Sequence, residues 1–107
     1  MDYSILSDHE INVKVGETIG LAANLMAVNK QTDYCNNPAD AWPIIVANGI
    51  ALLPYQHSTP AAYLTAFGLA SRFNANDENV LRAAMIVFLM AQETPNVPAN
   101  STGSDLR

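Results

Sequence analysis

The chain has 107 residues, the size of one domain, and half of them are hydrophobic, which is too many for a disordered protein. Five Lys and Arg against ten Asp and Glu give a net charge of −5. Binding to a phosphate backbone needs clustered positive charge, whereas these basic residues are scattered, so we expect no direct binding to nucleic acid.

The first predicted helix runs from about Asp8 to Ile19. Ser7 and Glu10 have the spacing of a capping box, in which each residue's side chain bonds to the other's backbone amide. Hydrophobic residues follow at four-residue spacing, and Gly20 offers a C-terminal stop. The next apolar run, Asn24 to Asn29, is short and fits either a strand or an extension of the helix, and we favour the strand.

A second, short helix is predicted at Pro43 to Asn48. Proline suits the first position of a helix because it lacks the amide hydrogen that interior positions need. Gly49 is expected to end this helix. Two apolar runs follow, Ile50 to Tyr55 and Ala62 to Leu69, and the turn-forming residues between them predict an antiparallel hairpin.

A long final helix is predicted over Asn79 to Gln92, with its cap and first-turn acids in Asn76-Asp77-Glu78. This helix is apolar nearly all round, so it must be buried on more than one side. The fold class is therefore α+β: a small antiparallel sheet packs against the long C-terminal helix, and the N-terminal helix and the short helix after a Pro complete the cover.

Residues 1–93 are expected to form this single domain, and residues 94–107, rich in Pro, Ser and Asn, a flexible tail. One small sheet does not cover every side of the final helix, so we also expect a homo-oligomer, with a symmetric dimer as the commonest solution.

The sequence indicates a cytoplasmic protein with no membrane partner. Cys35 is the single cysteine, which excludes a disulfide within the chain and is typical of a reducing compartment. The first residues lack the basic and apolar regions of a signal peptide. The most apolar run, Val80 to Ala91, contains Arg82 and is shorter than the roughly 20 residues that a membrane span needs.

The candidate binding site is the polar segment that precedes the second predicted helix. It combines carboxylates, amides and the only Trp of the chain, and we assign ligand or partner binding to Asp33, Tyr34, Asn36, Asp40 and Trp42. Trp42 has two interpretations, an anchor of the loop against the core or the wall of a pocket. In the competing interpretation, all five residues merely hold the loop in shape.

Catalytic chemistry has weak support in the sequence. Asp33 and Asp40 are the minimum for an acid/base or metal pair, but no further ligand stands at a suitable spacing beside them. Cys35 lacks a base nearby in sequence, so a buried, inert thiol is favoured. His9 and His57 are interpreted as solvated surface residues. We expect no catalytic residue, no metal ion and no cofactor.

Three segments resemble the NinX family of small phage and prophage proteins. They are Tyr3 to Asn12, the stretch from Asp33 to Val46, and Leu81 to Met90. The family is a domain of unknown function, so the resemblance implies an origin in a phage or prophage accessory region and the cytoplasm of the bacterial host. It supplies no catalytic residue.

The expected function is that of a non-enzymatic phage accessory protein that binds a host protein or a small molecule and thereby alters host defence or physiology. An alternative is a protein that sequesters a nucleotide-like metabolite near Tyr34, Asp40 and Trp42. A third alternative is a minor hydrolase that uses Asp33 and Asp40.

Overall fold

The computed structural model describes residues 2–66 and 73–93. Within them lie four α-helices and a three-stranded antiparallel sheet, which confirms the predicted α+β class. The helices are α1 (Asp8–Ile19), α2 (Leu21–Val28), α3 (Pro38–Asn48) and α4 (Val80–Glu93), and the strands are β1 (Ile50–Leu53), β2 (Ala61–Leu64) and β3 (Asn74–Asn76). The predicted flexible tail, residues 94–107, lies outside the described residues.

Helix α1 has the predicted bounds and the predicted capping box. The Glu10 amide donates to Ser7 Oγ at 3.1 Å, and the Ser7 amide donates to Glu10 Oε1 at 2.8 Å. The inward face of α1 places Ile11 and Val15 in the core, where both are fully buried. The prediction of this helix from the local sequence is therefore confirmed.

Ser7→Ala is expected to lower the free energy of unfolding by about 0.5–2 kcal/mol, because it removes one half of the capping box. Urea denaturation followed by circular dichroism measures the change, and the slope of the transition should stay the same. Ser58→Ala, at an exposed serine in a turn, is the matched control and should have little effect. Equal midpoints for the Ser7 variant and the parent would contradict the assigned start of α1.

The predicted strand at Asn24 to Asn29 is wrong, because this segment belongs to helix α2. Its Leu, Ala and Met residues are strong helix formers. Gly16 in α1 also lets the two helices pack closely: a β-carbon there would lie only 2.9 Å from the Ala23 carbonyl oxygen. A short apolar run has no decisive periodicity, so the packing of α2 on α1 determines its structure.

Helix α3 begins earlier than predicted, with Pro38 rather than Pro43 in the first turn. The Asn37 side chain caps it by accepting from the Ala39 amide at 3.0 Å. Pro43 lies inside the helix and cannot donate to the carbonyl of Ala39, but Ala39 is exposed and water can bond to that carbonyl. Gly49 ends the helix as predicted, in the left-handed conformation with a φ of 62°.

The predicted hairpin is confirmed over a shorter length. Strand β1 pairs with β2 antiparallel, with Ile50 opposite Leu64, and the strands have the order β1-β2-β3. The far end of the second predicted strand, residues 67–69, lies outside the described residues. Strand β3 was not predicted, since Asn-Ala-Asn has no strand propensity, and it pairs with β2 through the match of Ala62 with Ala75.

Helix α4 starts one residue later than predicted and is capped by Asn79 rather than Asn76. Asn79 Oδ1 accepts from the amides of Leu81 and Arg82 at 3.0 and 3.3 Å. Every residue from Ala83 to Leu89 is buried. The helix contacts all three strands and also α1 and α3, so its burial on more than one side is confirmed.

The cover of α4 comes from the chain itself. The reason given for a dimer, a final helix left partly uncovered, therefore no longer applies, and the dimer itself stays a prediction.

No helix in residues 2–66 and 73–93 combines the length and the apolar character needed to cross a bilayer.

Candidate functional site

The loop between α2 and α3 is held from below by Asn12, a buried amide on α1. Its Nδ2 donates to Asp33 Oδ1 at 2.9 Å, and its Oδ1 accepts from the Cys35 amide at 3.1 Å. A buried amide with both ends bonded fixes the position of the segment that it contacts. Asn12 was missed by the sequence analysis, because its partners are more than twenty residues away along the chain.

Asp33 and Asp40 make contacts that shape the loop. The Asp33 amide donates to Asp40 Oδ2 at 2.9 Å, which ties the loop to the first turn of α3. The Asp33 carbonyl accepts from the amides of Asn36 and Asn37 at 3.2 and 2.8 Å. The Asp40 carboxylate thus bonds the loop backbone, as the turn interpretation predicts, whereas the Asp33 carboxylate accepts from the side-chain amides of Asn12 and Asn36.

Asn36 joins the loop to the starts of two helices. Its Nδ2 donates to Asp8 Oδ2 at 3.0 Å, and its Oδ1 accepts from Asn79 Nδ2 at 2.8 Å. Asn79 Nδ2 also donates to the Cys35 carbonyl at 2.7 Å. The loop is therefore bonded to α1 and α4 together.

Arg82 completes this polar network. Its guanidinium donates to Asp8 at 2.8 Å and to Asp77 at 3.0 Å, and also to the carbonyls of Ser4 and Leu6 at 3.0 and 2.7 Å. Only 12% of the Arg82 side chain is exposed. The Asn36 amide and the Arg82 guanidinium hold the pKa of Asp8 below its usual range.

The role of Arg82 was not predicted from the sequence, in which this residue was noted only as a charge within an apolar run. A signal was present: a single cation stands in the first turn of an otherwise apolar helix, with Asp77 shortly before it. A charge that interrupts a buried face is usually paired.

Tyr34 and Cys35 are the loop residues that are buried in the core. Tyr34 is buried, so its ring does not form a surface wall. The predicted buried thiol is confirmed, since Cys35 is fully buried. Burial, with a smaller contribution from the Asp8 carboxylate, raises the pKa of the Cys35 thiol to about 12, and a thiol that stays protonated at neutral pH is a poor nucleophile.

Trp42 lies on the outside of α3. Its side chain is 58% exposed, which excludes the interpretation that it anchors the loop in the core. Val46, one turn later on the same face, is exposed to a similar extent, and Pro43 beside them is exposed as well. Tyr34, rather than Trp42, is the aromatic residue that anchors the loop.

A surface cleft of about 220 Å³ opens beside the loop. Its lining residues are Asp8, His9, Asn12, Lys30, Thr32 and Asp33. Asp33 is thus the one member of the predicted site that lines it. The Thr32 hydroxyl is buried and has no hydrogen-bond partner within residues 2–66 and 73–93. His57 is exposed as predicted, whereas His9 is half-buried at the edge of the cleft.

Metal binding has no support in the part of the chain that the structure describes, where no group of three or more His, Cys, Asp or Glu side chains is placed to hold an ion. The polar network instead pairs its carboxylates with amides and with one guanidinium.

The chain matches a known protein family over most of its length. The family model described as Bacteriophage P22, NinX matches residues 2–92. The match spans helices α1 to α3, the sheet and nearly all of α4. No curated protein and no solved structure is significantly similar to the chain.

Proposed function

Because the chain belongs to the NinX family of bacteriophage proteins, we propose that it acts by binding a protein of the bacterial host. Membership makes it a phage accessory protein. The binding, its non-enzymatic character, its place in the host cytoplasm and its effect on host defence or physiology are our proposal.

The exposure of Trp42 carries this proposal. Tryptophan is enriched among the residues that dominate binding energy at protein interfaces, and here the only Trp of the chain lies on the surface. Val46 and Pro43 extend the apolar surface around it. No charged residue occurs between Asp40 and Arg72, and interface cores are depleted of charge.

The other four residues of the predicted site support Trp42 in this proposal. Asp33 and Asp40 connect the loop to the first turn of α3 through the bond at 2.9 Å. Asn36 bonds the loop to Asp8 and Asn79, and Tyr34 is buried under it. The four thereby fix the direction in which α3 presents Trp42. Carboxylates that bond to the loop are poor candidates for a hydrolase, which supports a non-enzymatic role.

Trp42→Ala tests the proposal. Cross-linking in host lysate identifies a bound protein, and titration of that purified protein then gives the affinity. The variant is expected to bind at least about 30-fold more weakly, the effect of losing an interface residue worth about 2 kcal/mol. Its melting temperature should match that of the parent, because the indole is mostly in solvent.

Tyr55→Ala is the matched control, since Tyr55 is an aromatic residue exposed to a similar extent. It should leave the affinity unchanged. Equal affinities for the Trp42 variant and the parent would show that α3 is not the contact surface.

The unpartnered hydroxyl of Thr32 favours a second candidate, a small-molecule binding protein. Thr32 lines the cleft with its hydroxyl buried beneath the surface, and His9 and Lys30 beside it offer donors to a small polar ligand. The cleft of about 220 Å³ is smaller than the roughly 300–1,000 Å³ typical of ligand sites, which disfavours a whole nucleotide. Thermal shifts with a panel of nucleotides and small phosphates separate the candidates, because a ligand that binds only the folded state raises the melting temperature.

A further inference from the structure

Helix α2 presents an apolar stripe to solvent. Leu21, Leu25 and Val28 recur at helical spacing, and Leu21 is 76% exposed. Met26 and Ile19, at the end of α1, extend the stripe, and both are largely exposed. The opposite face of α2 packs on α1, with Ala27 buried and Ala23 close to Gly16.

We propose that the α2 stripe (Ile19, Leu21, Leu25, Met26 and Val28) is the contact surface of a symmetric dimer, with a second copy of this chain as its occupant. The five residues of the stripe are 43% to 76% exposed, and the largest exposed apolar patch of a monomer is often a site of interaction. Pairing two copies through it buries the stripe on both chains, which favours reaching the total of roughly 1,000 Å² that a specific interface must exceed.

Charge also favours a second copy. Two chains of net charge −5 repel one another, and pairing requires a face on which no acids meet. Residues 18–32 contain no Asp or Glu, and α2 itself has no charged residue. The α2 stripe therefore brings two acidic copies together without opposing their carboxylates.

The geometry of α2 suits an antiparallel pair. The helix has eight residues, and Leu25 lies near its middle and near the centre of the stripe. A two-fold axis through this point places Leu25 against Leu25 of the second copy and Leu21 near the other end of the partner helix. Because an isologous interface uses the same patch twice, one stripe is sufficient.

Light scattering and analytical ultracentrifugation test the dimer. The intact chain should have twice its mass of 11.5 kDa at micromolar concentrations. Leu25→Glu places two like charges face to face at the axis and should weaken the dimer by at least about 100-fold, because such a contact costs several kcal/mol. Val46→Glu, at an equally exposed apolar residue of α3, is the control and should leave the dimer intact.

A second variant tests the position of the axis. Leu25→Cys should form a covalent dimer on mild oxidation, since the native Cys35 is fully buried and does not compete. Tyr55→Cys at the same concentration should stay uncoupled. The proposal is wrong if the parent chain is still monomeric at 100 times the micromolar concentration first used. It is also wrong if Leu25→Glu leaves the dimer unchanged. Host-protein binding through Trp42 is measured separately and can fail or succeed independently.

Discussion

Arg82→Met is expected to lower the free energy of unfolding by about 2–3 kcal/mol, because it removes charge-assisted hydrogen bonds between a mostly buried guanidinium and two partly exposed carboxylates. The Arg82 guanidinium bonds to two carboxylates and two carbonyls and is almost excluded from water. Its loss leaves Asp77 and Asp8 without a cation and leaves the Ser4 and Leu6 carbonyls without this donor. Urea denaturation at pH 7 gives the change directly.

Arg82→Lys is the matched control. It keeps the positive charge, but a single ammonium does not span four acceptors as the planar guanidinium does, so its stability should lie between those of the parent and Arg82→Met. If the Met variant loses less than about 1 kcal/mol, as exposed ion pairs do, then the network contributes little to stability.

The same substitution should change the response to acid. The folded-state pKa of Asp8 is lowered, so Asp8 stabilises the fold above the pKa of its unfolded state and this stabilisation is lost as the pH falls. Part of the lowering comes from Arg82, so in Arg82→Met the loss of stability on acidification below pH 4 should be shallower than in the parent. If the stability of the parent and of Arg82→Met falls equally with pH, then Arg82 does not contribute to lowering the Asp8 pKa.

Asn12→Leu is expected to lower the free energy of unfolding by about 2–3 kcal/mol. The leucine has a similar volume but leaves the buried Cys35 amide without an acceptor and removes the 2.9 Å hydrogen bond to the Asp33 carboxylate. Hydrogen exchange should show the Cys35 amide losing protection, because the loop is no longer held to α1.

Asn24→Leu is the control for this prediction. Asn24 is a half-buried amide with one long bond, 3.4 Å to the Val13 carbonyl, so its loss should have a much smaller effect. Equal effects of the two substitutions would mean that burial of an apolar residue, rather than the bonds of Asn12, decides the outcome.

Elements whose signals are local were predictable from the sequence. The capping box of α1 and the glycine that ends α3 are each complete within a few residues. The error at α2 arose because a short apolar run such as Asn24 to Asn29 suits a strand and a helix equally, and the packing of α2 on Gly16 decides between them. Strand β3 had no local signal, because only its pairing with β2 makes it a strand.

The loop that carries the candidate site was predictable from the sequence, whereas the positions of its side chains were not, and its role in binding stays a prediction. The polar segment identified the loop, yet a sequence does not show that Tyr34 is inside and Trp42 outside. The residues that hold the loop, Asn12 and Asn79, were missed because their partners in the loop lie 21 to 44 residues away along the chain. Such contacts exist only once the chain has folded.

The bonds of Arg82 to Ser4 and Leu6 also impose an order on biosynthesis. These carbonyls are made 78 and 76 residues before their donor. At about 5–20 residues per second, translation separates them by roughly 4–16 seconds. The hairpin of α1 and α2 forms early because its contacts are local. The segment that holds Ser4 and Leu6 therefore lacks its Arg82 donor until α4 has left the ribosome.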